Sequence, residues 1–177
     1  MTRTEKELEI QKERCREIFR RKMEDYGTSW SIMRPRSLTD QILIKATRIR
    51  RLEEIGMERA EVQEGIEPEF IGIINYAAME MIQLNRSEYS PLLPEKALEL
   101  YNEAINDATN LLQHKNHDYD EVWRSMRISS FTDIILQKLL RTKEIEDNQG
   151  ITKVSEGIDA NMMDIINYAF FALIRLS

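Results

Sequence analysis

The stretch from Asp25 to Arg48, DYGTSWSIMRPRSLTDQILIKATR, returns without a gap from Asp118 to Arg141 as DYDEVWRSMRISSFTDIILQKLLR. Twelve of its 24 positions are identical. A second pair follows, EGIEPEFIGIINYA from Glu64 to Ala77 and EGIDANMMDIINYA from Glu156 to Ala169. The offset is 93 in the first pair and 92 in the second. A chain that repeats itself in this way folds as two copies of one unit. With 177 residues in all, each copy is near the size at which a lone hydrophobic core is thin. Two repeats, residues 1–88 and 89–177, are therefore expected to share one core. Position-by-position comparison of the repeats then separates what both need from what one has changed.

Only six glycines and four prolines punctuate the chain, which predicts long helices. Thr4 with Glu7 has capping-box spacing and predicts a helix over 5–23. Gly27, Ser29, Pro35, Tyr26 and Trp30 predict an aromatic-pinned loop over 24–36. Ser37 or Thr39 is expected to cap a second helix that runs to Ile55 and stops at Gly56. A third is expected to start near Met57 or Arg59, to be split by Pro68, and to continue from Glu69 to Asn85. After the linker NRSEYSPLLP the scheme repeats. Helices are predicted from Pro94 to His114, Phe131 to Glu146 and Ser155 to Leu176, with an aromatic loop over 118–130. The expected fold is all-α, a bundle of about six helices built from two three-helix units with pseudo-twofold symmetry.

The net charge of −6 carries no basic footprint for nucleic acid or an anionic membrane. No apolar run reaches the ~20 residues of a membrane span. The start of the chain lacks the apolar core of a signal peptide, and a lone cysteine, Cys15, allows no internal disulfide. A cytoplasmic protein is the expectation, with apolar faces such as FFALIRL suited to a partner, a homodimer included.

Polar residues kept in both repeats are the informative ones: Lys22/Lys115, Asp25/Asp118, Tyr26/Tyr119, Trp30/Trp123, Arg34/Arg127, Asp40/Asp133, Lys45/Lys138, Arg48/Arg141, Asn75/Asn167 and Tyr76/Tyr168. On the fifth helix Asp133, Lys138 and Arg141 lie beside extensive apolar surface, where a charge must be paired or bind a ligand. Three readings stay open: a symmetric salt-bridge network, a cationic wall for phosphate, or a solvated face. On the last helix Asn161, Asp164, Asn167 and Tyr168 share one face, matching Glu69, Gly72, Asn75 and Tyr76. Carboxylates three apart on a helix can hold Mg²⁺, yet each copy keeps only one of the two. Asn75/Asn167 read either as buried amides or as base contacts. The aromatic pairs read either as plugs at the bundle end or as stacking surfaces at a pocket mouth. His114 and His117 have no counterpart in the first repeat and read as surface.

Lys22, Asp25-Tyr26-Gly27, Trp30, Ser37-Leu38-Thr39-Asp40, Lys45, Arg48 and Asn75-Tyr76 together resemble the nucleotide-modification-associated domain 1 family, and both repeats carry the pattern. That resemblance implies a link to nucleotide metabolism or base modification. The helix around Asp164 is also distantly similar to the E-x-x-D helix of the all-α, MazG-like and dimeric dUTPase nucleoside triphosphate pyrophosphohydrolases, although no E-E-x-x-E accompanies it. This second resemblance implies a Mg²⁺-dependent hydrolase that releases pyrophosphate. In that scheme Asp164 and Asp133 are catalytic. Asp164, Asp159, Asp133, Asp40, Glu67 and Glu69 are the metal ligands. Lys45, Arg48, Lys138 and Arg141 hold phosphate, and Asn75, Asn167, Tyr26, Tyr119, Trp30 and Trp123 face the base. The competing expectation is a non-catalytic helical scaffold. A third is one live site in the second repeat and a degenerate one in the first.

Overall fold

The computed structural model describes residues 1–56, 65–153 and 156–177. Its helices are α1 (Arg3–Tyr26), α2 (Pro35–Ile55), α3 (Glu67–Leu84), α4 (Pro94–Tyr119), α5 (Ile128–Asp147) and α6 (Ile158–Leu176). A short 3₁₀ turn precedes α2 (Ser29–Ile32) and another precedes α5 (Val122–Ser125). No strand occurs among the described residues.

The ends of the helices differ from expectation for local reasons. The capping box sits two residues early, with Thr2 accepting from the Glu5 amide and Glu5 reaching back to the Thr2 amide. Thr4 instead donates its hydroxyl to Glu121 in the second repeat. Pro35 and Pro68 occupy first turns, where a missing N–H costs nothing, so α2 starts before Ser37 and α3 starts at Glu67. Asp25-Tyr26 and Asp118-Tyr119 are the last turns of α1 and α4, not loop. Gly56 ends α2 at φ 83°, as a C-terminal glycine can. The predicted helix start at Met57 or Arg59 and the Ser155 boundary lie outside the described residues.

α3 and α6 are buried on nearly every face, as helices with little polar surface must be. They pack on each other at the centre, α2 covers α3, α5 covers α6, and α2 lies along α5. Phe19, Phe70, Phe131 and Phe170 are fully buried, each contributing roughly 1.5–3 kcal/mol. One core thus spans both repeats.

The pseudo-twofold is visible bond by bond. Lys143 pairs with Asp40 at 2.6 Å, and its counterpart Arg50 lies 3.8 Å from Asp133. Thr39 donates to Glu146 at 2.8 Å, and Thr132 donates to Glu53 at 3.1 Å. These four contacts run α2 antiparallel to α5 and tie one repeat to the other. Gln83 donates to the Met33 carbonyl at 2.7 Å, while Arg175 serves the Met126 carbonyl.

Candidate functional site

Lys45 and Arg48 in the first repeat and Lys138 in the second close on a carboxylate, but on different turns of the facing helix, while Arg141 has no ion-pair partner among the described residues. In the first repeat Arg48 lies 3.2 Å and Lys45 3.6 Å from Glu69, which is only 8% exposed. Lys45 also stands 5.7 Å above the Tyr76 ring. Its stem lies across Gly72, where a Cβ would meet the Lys45 Cδ and Cε at 2.5 Å. In the second repeat Asn161 replaces Glu69 and Asp164 replaces Gly72. Lys138 bonds Asp164 at 3.0 Å, and Lys115 reaches the other oxygen at 3.1 Å. The carboxylate has moved one turn, and its cation has followed.

That shift releases Lys22, the counterpart of Lys115. It has no ion-pair partner among the described residues and lines a cavity of about 490 Å³ between α1, the first 3₁₀ turn and α3. The walls are mainly apolar, with the Trp30, Tyr26 and Tyr76 rings among them. Tyr26 is 70% exposed and sits where the cavity meets solvent. Arg14 also lines it, held by Glu67 at 2.7 Å.

The matching place in the second repeat is filled. Trp123 is buried and stacked on Phe171, with centroids 4.4 Å apart and planes 9° from parallel. Tyr168 and Phe131 close around Phe171. Arg124 stacks over Trp123 at 4.3 Å and bonds Glu7 at 2.7 Å, so the first turns of α1 seal this end. Tyr119 remains 66% exposed.

Asn75 and Asn167 tie helices together. Asn75 donates to the Cys15 carbonyl at 3.2 Å and accepts from Tyr101 at 2.7 Å. Asn167 donates to the Ala108 carbonyl at 2.8 Å, at the residue equivalent to Cys15. Its Oδ1 has no partner among the described residues, because Leu8 stands where the symmetry would place Tyr101. Asn75 still borders the cavity, but both ends of its amide are in use. Cys15 is buried, and burial pushes its thiol up to about 12, so it is not a nucleophile.

The six carboxylates expected around Mg²⁺ do not converge. Asp40 and Asp133 form the α2–α5 seam with Lys143 and Arg50, on the surface. Glu67 holds Arg14, Glu69 holds Lys45 and Arg48, and Asp164 holds two lysines. Asp159 is exposed in the first turn of α6. A hard cation needs several oxygens around one point. Among the described residues no group of three or more His, Cys, Asp or Glu side chains could hold a metal ion. These residues do not fit a Mg²⁺ centre.

Lys138 and Arg141 do share an open groove with Lys153 and Asn161, but Glu144, Asp147 and Glu156 line it too, so its charge is mixed. Sequence reasoning missed Glu80, which is fully buried at the other end of α3. Both its oxygens lie within 3.1 Å of the Thr39 hydroxyl, which also bonds Glu146. Burial first, then the Glu146 charge, raises the Glu80 carboxyl to about 8. One hydroxyl proton cannot serve both carboxylates, so Glu80 keeps its own proton at neutral pH. A lone glutamate in the apolar run INYAAMEMI was the available signal. Its counterpart in the second repeat is Ala172.

A family model described as nucleotide modification associated domain 1 matches residues 22–84 and, a second time, residues 115–176. The two matches cover more than half of the chain, which therefore belongs to that family, in tandem copies. No curated protein and no solved structure matches it.

Proposed function

From membership of that family, we propose that the first repeat binds a nucleotide and that the second is its structural counterpart. The observation that carries this reading is the cavity beside Trp30 and Tyr76, with Lys22, which has no ion-pair partner among the described residues, on its wall. Its volume of about 490 Å³ suits a small ligand held mostly by apolar surface. Aromatic rings in such a wall take a flat base by stacking, and Lys22 takes a phosphate oxygen. Tyr26 and Trp30, expected at the base, lie at this cavity. Trp123 is committed to Phe171, and the phosphate cations Lys45, Arg48 and Lys138 are committed to carboxylates.

Binding without hydrolysis is the form this reading takes. Asp164 and Asp133, placed as catalytic by resemblance, each face cations on different helices. A pyrophosphohydrolase would need them gathered. A second reading, a scaffold in which the repeats brace each other, is favoured by one set of contacts: the symmetric Thr39–Glu146 and Thr132–Glu53 bonds across the α2–α5 seam.

The test is thermal unfolding of the full chain with nucleosides and nucleoside mono-, di- and triphosphates. Each is run with and without Mg²⁺, with pyrophosphate release followed in the same wells. A ligand at 100 times its Kd adds about 2.7 kcal/mol. A shift without pyrophosphate release that is lost in Lys22→Ala supports binding by the first repeat. A Mg²⁺-dependent shift with pyrophosphate release would make the protein a hydrolase instead. No shift with any nucleotide leaves the scaffold.

A further inference from the structure

Of the ten cavity-lining positions at which the repeats differ, three describe the ligand. Met23, Gly72 and Met79 line the cavity of the first repeat. Their counterparts are Asn116, Asp164 and Phe171. In the second repeat each of these three meets a group that both repeats keep. Phe171 stacks on Trp123 at 4.4 Å. The Asn116 Oδ1 accepts from the Trp123 indole N–H at 3.0 Å. The Asp164 carboxylate pairs with Lys115 at 3.1 Å.

The first repeat retains the donors and lacks the acceptors. The Trp30 Nε1 is buried without a hydrogen-bond partner among the described residues, a state that costs about 1–3 kcal/mol. Lys22 has no ion-pair partner among the described residues. Phe171 has given way to Met79, leaving volume beside the indole. The carboxylate's loss has a packing reason, since the Lys45 stem lies where a side chain at Gly72 would go. The lost amide oxygen and stacked ring have none, because Phe19 meets Trp30 only tilted, at 6.1 Å, and leaves the indole N–H without an acceptor among the described residues.

We infer that the second repeat is a self-liganded copy, and that its three side chains mark what the first repeat binds. The ligand has a flat ring in place of Phe171, a carbonyl oxygen in place of the Asn116 amide, and an anion in place of Asp164. This rests on the nucleotide reading above and narrows it to a nucleoside monophosphate whose base carries a ring carbonyl: thymine, uracil, guanine or cytosine, but not adenine. One phosphate suffices, because Lys22 supplies one charge and Arg14 is held by Glu67 at 2.7 Å. Met23 covers the place of Asn116. It is unbranched and flexible, so the base carbonyl reaches the indole N–H by displacing it.

Calorimetric titration of the full-length protein with dTMP, dGMP, dAMP and thymidine tests the inference. We expect dTMP and dGMP to bind at least tenfold more tightly than dAMP, and thymidine to bind more weakly than dTMP. Met23→Asn gives the indole an internal partner, as in the second repeat, and should bring dTMP down to the level of dAMP. If that variant does not fold by circular dichroism, Trp30→Phe removes the donor and should level the two in the same way. Equal binding of dAMP and dTMP by the unaltered protein overturns the inference while the nucleotide reading stands. So does an advantage for dTMP that survives in both variants. No binding of any of the four overturns the inference, and the nucleotide reading falls with it only if the di- and triphosphates of the unfolding panel also give no shift.

Discussion

The two repeats hold the same lysine and tryptophan and the same Lys/Arg pair on the helix that follows, and differ in what faces them. In the second, Asp164 neutralises Lys115 and Lys138, and Phe171 and Asn116 occupy Trp123. In the first, Glu69 takes Lys45 and Arg48 one turn away, and Lys22 and Trp30 are left over beside a cavity. Duplication explains this economically. Once one copy secures the shared core, the other is free to exchange packing for space. The copy with more aromatic packing is the braced one, and the copy with methionines and a glycine is the receptive one.

The comparison breaks most easily at the aromatic stack. Phe171→Ala should cost about 3–5 kcal/mol in urea unfolding, as for a buried phenylalanine. Met79→Ala should cost less, about 2 kcal/mol or under, because its side chain already borders open volume. Equal costs would mean the two walls are packed alike.

The amides come next. Asn75→Ala strands the Tyr101 hydroxyl and the Cys15 carbonyl and should cost about 2–3 kcal/mol. Asn167→Ala strands only the Ala108 carbonyl and removes an oxygen that had no partner, so about 1 kcal/mol is expected. Thermal unfolding of the two variants side by side measures the difference.

Glu80 adds a pH dependence that belongs to the first repeat alone. Its folded pKa of about 8 lies above the ordinary value of 4.5. Between those values the native state holds a proton that the unfolded chain has released. Stability therefore falls as pH rises from about 4.5 to about 8, and levels off above. Denaturant titrations across that window should show the fall. Glu80→Gln should flatten most of it and leave the variant more stable than the parent at pH 9. A slope from Glu146, raised in the same direction by burial, should persist. The smallest effect is Met23→Asn, which should add about 1 kcal/mol by giving the Trp30 indole an acceptor.

Much of the architecture was legible because periodicity and duplication are both written along the chain. Helix identity, the linker, Gly56 as a stop and the pairing of repeats follow from it. So does the choice between paired and exposed charge as the question for Lys45 and Lys138. The roles were less legible because they depend on which helix faces which. Asp40 and Asp133 read as site residues from their recurrence, yet they recur because the α2–α5 seam needs a matching pair. Asn75 and Asn167 recur because two helices must be tied to a carbonyl at Cys15 and Ala108. The cavity was hidden for the opposite reason. Its signal lies in Met23, Gly72 and Met79, where the repeats disagree, while attention to retained residues points away from them.

The two tryptophans make the central claim directly measurable, since each repeat holds one. The indole N–H signals of Trp30 and Trp123 are resolved by nitrogen-15 NMR and assigned with Trp30→Phe. Titration with dTMP is predicted to shift the Trp30 signal in a saturable way and to leave the Trp123 signal in place. A shift confined to Trp123, or no shift in either, would contradict the assignment of an open site to the first repeat and a filled one to the second.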